Sequence, residues 1–374
     1  MEDHVYKWCL MLLDSSRVAT LLVSVLLIVY GCFRSLGVDA AKENEFDNSD
    51  ESSKSVFFFQ SISPDSHTIS STQAMLLPLG ASCSLLFMFF FFDKFQSIFA
   101  VCTVVLGTIA FSFLLFPLCQ YAILPLTNPN YKISFGSLGR FTHAELLAII
   151  CSIFLVGVWM FTGHWILMDA MAMGLCISMI SYLRLPSLKV SIILLLGLVF
   201  YDVFWVYFSA YLFKDNVMVK VATQPANNPI SFVDDKIGST IYKGAASNKH
   251  LSLPGKLVFP SYSEKGRMSM LGLGDIVMPG LLLSFVLRFD NHKQKSSEET
   301  KIKYFHCSLI GYFVGLLGAT IVSEVYQTAQ PALLFLVPST LLPVLVIGYL
   351  QNDLKEMWSN PFGELTCKLR QIEI

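Results

Sequence analysis

The chain has 374 residues, of which 54% are hydrophobic and only 14% charged, with a mean hydropathy of +0.59 and a net charge of −1. Soluble domains carry about 25% charged residues, so this chain cannot cover itself with polar surface, and it is read as an all-α polytopic membrane protein whose first partner is the lipid bilayer. The near-neutral balance argues against nucleic acid as a partner.

A window that spans the ~30 Å hydrocarbon core needs about 20 apolar residues. Nine are predicted: Val18–Phe33, Ala74–Phe92, Phe95–Cys119, Leu146–Gly163, Trp165–Tyr182, Val190–Phe213, Ser269–Leu287, Tyr304–Ser323 and Pro331–Leu350. The first follows Lys7 and Arg17, as a signal peptide would. Its charged lead and its unbroken run into Arg34 favour an uncleaved helix. In the loop 34–73, on the cytosolic side, the segment 39–72 is acidic and Ser-rich, hence flexible. Connections at Asp93-Lys94 and Gly163-His164 are so short that the flanking helices should pack antiparallel. Glu145 stands three residues after Thr142, at capping-box spacing. Asp169 falls ~6 Å inside the fifth window, where an interfacial or hydrogen-bonded acid is expected. The loop 214–268 carries Pro225, Pro229, Pro254 and Pro260 and reads as irregular.

These windows divide the chain into residues 1–189 with five spans, 190–350 with four spans and the long loop 214–268, and a tail at 351–374. Lys and Arg number 15 in the loops on the side away from the N-terminus, against 3 in the short segments on its own side, with 8 more in the long loop. The positive-inside rule then makes the N-terminus lumenal and the C-terminus cytosolic. The nine cysteines form no CxxC pair or dense cluster, no HExxH occurs, and no metal site or cofactor is implied. There is no Asn-X-Ser/Thr sequon.

Two acids set the chemistry. Asp202 sits in Phe200-Tyr-Asp-Val-Phe-Trp205 of the sixth window and Asp275 in Met270-Leu-Gly-Leu-Gly-Asp275 of the seventh, and neither window contains a Lys, Arg or His. An ionised acid at membrane depth costs at least ~2.5–3.5 kcal/mol. Two of them without a cation in their own helices are best explained if they face each other and share a proton. Asp202 lies ~16–20 Å from either end of its window and Asp275 ~10 Å from the start of its own, and the two helices run antiparallel, so the acids can meet. Such a pair can split an amide with water directly, one carboxylate acting as base and the other as acid. Gly272 and Gly274 flank Leu273, and Pro279 cannot donate to the carbonyl of Asp275, so the helix should be open beside its acid, with Gly280 loosening the next turn. An exposed glycine backbone could pair strand-like with an unwound substrate.

Tyr201-Asp202, then Gly272-Leu273-Gly274-Asp275, then Pro331-Ala332-Leu333 at the head of the ninth window, just after Gln330, in that order, resemble the three signatures of the GxGD intramembrane aspartyl proteases. With the N-terminus lumenal, the match is to the signal peptide peptidase family rather than to the presenilins. Stretches such as Asn216-Val-Met-Val-Lys-Val-Ala-Thr-Gln-Pro225 and Leu253-Pro-Gly-Lys-Leu-Val-Phe-Pro260 resemble its type-3 branch, signal peptide peptidase-like 3. The resemblance implies a catalytic dyad of Asp202 and Asp275. Tyr201, Gly272, Leu273, Gly274, Gln330, Pro331, Ala332 and Leu333 would shape the site and bind substrate. It also implies cleavage of single-span type II membrane proteins, among them Golgi glycosyltransferases, with release of their ectodomains from a Golgi membrane. A homo-oligomer is a further expectation. The residues alone leave a cation-coupled transporter using the same acids as an alternative, weakened by the lack of a fixed internal repeat.

Overall fold

The computed structural model describes residues 14–47, 67–125, 132–134, 140–213, 217–223, 226–227, 250–251, 254–261, 268–295, 303–326, 330–359 and 361–362. It is built of long helices: α1 (Ser15–Asp47), α2 (Ser71–Ile123), α3 (His143–Thr162), α4 (Trp165–Tyr182), α5 (Leu188–Val203), α6 (Leu273–Lys295), α7 (Tyr304–Tyr326) and α8 (Leu333–Leu350). Among the described residues, eight helical stretches are long and apolar enough to cross a membrane, so the chain is a polytopic membrane protein. Two of them belong to α2, which is helical throughout yet folds back on itself. The Phe87 ring lies 6.4 Å from that of Phe99, although twelve residues of straight helix would separate them by about 18 Å. The reversal falls at Asp93-Lys94, the hairpin expected from sequence.

Three sequence expectations need correction. First, α1 does not stop at Phe33 but runs to Asp47, because Ala40, Ala41, Lys42, Glu43 and Glu45 are good helix formers. Its extension is anchored: Arg34 donates to the Phe113 carbonyl at 2.8 Å and lies over the Phe113 ring, while Asp39 pairs with Arg184 and Arg288. The rest of the expected flexible loop, up to residue 66, lies outside the described residues. Second, the window Ser269–Leu287 is not helical from its start. Strand β1 (Lys256–Pro260) pairs antiparallel with strand β2 (Met268–Gly272), and helix begins only at Leu273. The long loop therefore contains order, with a further short helix at Val217–Thr223. Third, α3 and α4 are joined as tightly as expected, through left-handed Gly163 (φ 61°) and His164 capping α4 with its ring nitrogen. However, α3 packs chiefly on α2 and only touches α4. Thr142 and Glu145 do form the capping box at the start of α3.

Helix α6 is the axis of the bundle. It contacts α1, α4, α5, α7 and α8, and Leu281, Leu282, Leu283, Phe285, Val286 and Phe289 are all buried, leaving no face for lipid. Gly280 does not loosen a turn. A Cβ there would lie 2.8 Å from Ile180 Cδ1, so this glycine lets α6 press against α4. Helix α7 packs on α8 through Gly311 and Gly315, one turn apart, both facing Ser339. The outer surface is apolar, as at Phe90, Phe154 and Tyr349.

The membrane-edge end of α6 is tied down by Asp353, whose Oδ2 accepts from the Tyr304 hydroxyl at 2.6 Å and pairs with Lys293 Nζ at 2.6 Å. All three residues are buried. Replacing Asp353 with alanine should cost about 2–3 kcal/mol, because it removes the acceptor shared by a phenol and an ammonium. The measurement is the melting temperature in detergent, where Asp353→Asn, which keeps an acceptor for Tyr304, should fall by less.

Candidate active site

Asp202 occupies the last turn of α5 and is buried, 4% exposed. Immediately after it the helix widens into a π-turn, Phe204–Phe208, a local irregularity that often marks functional sites. The wide turn swings Tyr207 toward the start of α8, where its hydroxyl donates to Gln330 Oε1 at 2.5 Å. Trp205 turns the other way and donates to Ser82 Oγ at 3.1 Å. Asp202 Oδ2 itself accepts the backbone N–H of Leu333 at 3.1 Å. Leu333 is the first residue of α8, so this N–H is one of the donors that a helix start leaves without an internal partner. The positive end of α8 thus points at the carboxylate.

Asp275 lies in the first turn of α6, not ~10 Å inside a helix as the sequence suggested. It is the third helical residue and reaches back to the N–H of Gly272, the residue before the helix. That is the return half of a capping box, with glycine in the capping position. Gly272 gives the carboxylate room at this spot: an added Cβ would lie 3.2 Å from Asp275 Oδ2, which would have to give by a few tenths of an ångström. Gly274 is different. It is exposed, and a Cβ there would meet nothing within 4 Å. Strand β2 therefore runs straight into the acid, and the opening beside Asp275 lies where strand becomes helix.

The two acids, from separate helices, approach closely enough for Asp275 to sit in the field of Asp202. Around them the structure gathers nearly every residue the sequence singled out. Tyr201 adjoins Asp202, half-buried, with its ring 6.5 Å from Trp205. Pro331 and Leu333 are buried, Leu333 bonded to Asp202, Ala332 stands at the N-cap position of α8 without a capping bond, and Gln330 holds Tyr207. Leu273 packs on the core, its N–H donating to the Gly255 carbonyl at 3.3 Å. Sequence reading missed Tyr207, which only the π-turn brings to Gln330. It also missed Tyr312, fully buried on α7 within the field of Asp275. A buried hydroxyl in an apolar window was the available signal for the latter.

Asp169 is the hydrogen-bonded acid that the sequence led one to expect. It is 3% exposed and accepts the Val258 N–H of β1 at 3.0 Å. Among the described residues no cluster of three His, Cys, Asp or Glu could hold a metal. Two carboxylic acids within each other's electrostatic field, each steadied by a backbone N–H, are the kind of pair that can deprotonate a water and protonate a carbonyl oxygen without a covalent intermediate.

Comparison with known proteins agrees with this chemistry. A family model described as signal peptide peptidase matches residues 61–364. Signal peptide peptidase-like 1 of Oryza sativa subsp. japonica is 37% identical over 324 residues, covering 82% of this chain and 86% of the relative. Signal peptide peptidase-like 1 of Arabidopsis thaliana is 33% identical over 370 residues, 95% of each. The human signal peptide peptidase is 31% identical over 315 residues, 78% of this chain and 74% of the relative. The chain belongs to the signal peptide peptidase family of intramembrane aspartyl proteases.

Proposed function

We propose that Asp202 and Asp275 are the catalytic dyad, alternating as base and acid on one water, and that the substrates are single-span type II membrane proteins. The observation that carries this reading is the convergence of two acids from α5 and α6, one of them on the N–H of Leu333. Unwound substrate would add to β2, whose outer edge nothing pairs among the described residues. The Val258 N–H points to Asp169, away from β2, so Val258 and Met270 form a pair without mutual hydrogen bonds. The N–H and C=O of Met270, and by alternation those of Met268, then face outward, next to half-exposed methionine side chains. Gln330, Pro331, Ala332 and Leu333 would close the other side of the substrate channel, with Tyr201, Leu273 and Gly274 lining it.

The resemblance to the type-3 branch supports Golgi glycosyltransferases as substrates, a Golgi location and release of ectodomains. The Lys and Arg distribution supports a lumenal N-terminus and cytosolic C-terminus. A ninth crossing is made by α6 together with its strand: the uncharged run Ile276–Leu287 rises only ~18 Å, and β2 supplies the remaining depth. Membership of a protease family leaves the transporter alternative without support. The test is to incubate purified wild type, Asp202→Ala and Asp275→Ala with a single-span type II substrate in detergent. Wild type alone should yield product, and a transition-state analogue with a hydroxyl in place of the scissile carbonyl should block it. Cleavage by either variant would remove the dyad.

A further inference from the structure

The β1–β2 hairpin is held from two sides. Asp14, just before α1, accepts from Ser261 Oγ at 2.9 Å, and Thr20 Oγ1 on α1 bonds Ser269 Oγ at 3.1 Å. From α4, Asp169 Oδ1 accepts the Val258 N–H at 3.0 Å. The last contact differs in kind, because it engages the strand's backbone on the edge opposite β2. Asp169 is buried, and its Oδ2 has no partner. No ion pair explains the acid among the described residues; its single hydrogen bond is to the hairpin.

We infer that Asp169 is a positioning residue for proteolysis: it closes the rear edge of the hairpin, so that only β2 can accept a substrate strand, and it fixes the register in which that strand presents its bond to the acids. A two-stranded ribbon has two edges able to pair with a third strand. At β1 the Val258 N–H, midway along the outward edge, is already taken, and Pro260, at the next outward position, has none to offer. Pairing on the wrong edge, or a slide of the hairpin along α4, would move the substrate backbone by whole residues relative to Asp275. A register shift of this kind changes which bond is cut.

The inference rests on the strand-pairing reading above, and the experiment separates the two. Cleavage products of wild type, Asp169→Asn, Asp169→Leu and Val258→Pro are mapped by mass spectrometry. Rates are expressed per intact site, counted by titration with the hydroxyl-bearing transition-state analogue. Asp169→Asn keeps an acceptor oxygen and should cut the wild-type bond at close to the wild-type rate. Asp169→Leu should lose about tenfold in kcat/KM, the size of one buried hydrogen bond, mainly through KM, and should scatter its cuts over neighbouring bonds. Val258→Pro deletes the same bond from the donor side and should reproduce the scatter, which covers the case of a leucine variant that does not fold. A role in stability alone would lower the number of titratable sites while leaving the cut bond unchanged, and that result overturns the inference. So does a defect in Asp169→Asn equal to that of Asp169→Leu, or single-bond cleavage by Val258→Pro. Wild type that does not cut at all would instead refute the protease dyad itself.

Discussion

Valine at position 272 is expected to lower kcat by about 100-fold or more in protein that still folds. The only atoms a Cβ would meet there belong to Asp275, with Oδ2 at 3.2 Å. The bulk of valine therefore falls on the carboxylate and on its bond to the Gly272 N–H, not on the core. A β-branched residue is otherwise at home at the end of a strand, so the global fold should persist. Displacing a reacting group by about 1 Å costs on the order of 10²-fold. Alanine, which needs a shift of only a few tenths of an ångström, should cost less. Gly274 is the internal control: a Cβ there enters open space, so Gly274→Ala should leave stability unchanged and act only when substrate occupies that space, as a rise in KM. Melting curves together with steady-state constants for the three variants check the claim. Wild-type kcat in Gly272→Val would show that Asp275 is not held through this contact.

The second large effect is structural. Gly311→Val should cost more than about 3 kcal/mol, at or beyond the upper end of ordinary overpacking, and should abolish activity along with stable protein. A Cβ on Gly311 would lie 2.0 Å from the Ser339 carbonyl oxygen, and one on Gly315 2.0 Å from Ser339 Oγ. The first obstacle is backbone and cannot rotate away, so α7 and α8 must separate. That separation reaches the site, because α8 carries Leu333 and its bond to Asp202. Gly318, on the same helix, would meet nothing within 4 Å, and Gly318→Ala should behave as wild type. The yield of monodisperse protein in detergent and its melting temperature decide the matter.

What could be seen in the sequence, and what could not, follows from the range of the interactions. Asp202 and Asp275 stood out because an acid in an apolar window has a cost that composition reveals, and their approach was expected from the opposed directions of the two windows, although the helix around Asp275 begins later than the window did. The strand Met268–Gly272 stayed hidden because Met, Leu and Gly extend an apolar run whether it is strand or helix. Only its partner, Lys256–Pro260, rich in Val and Phe, decides between them. The end of α1 was misplaced because acidic and serine-rich composition was averaged over 39–72, although its first residues favour helix. Tyr207 depends on a π-turn that no periodicity foretells. Gly280 shows the limit of reading glycine as looseness, since here it is tight packing against Ile180.

The bond that steadies Asp202 comes from the main chain of Leu333. Nineteen of the twenty genetically encoded amino acids could offer that same amide, so the anchor is indifferent to the identity of the side chain at 333. Natural variants at this site would therefore remodel the wall of the channel while keeping the acid seated. Proline alone, lacking the hydrogen, would unseat it.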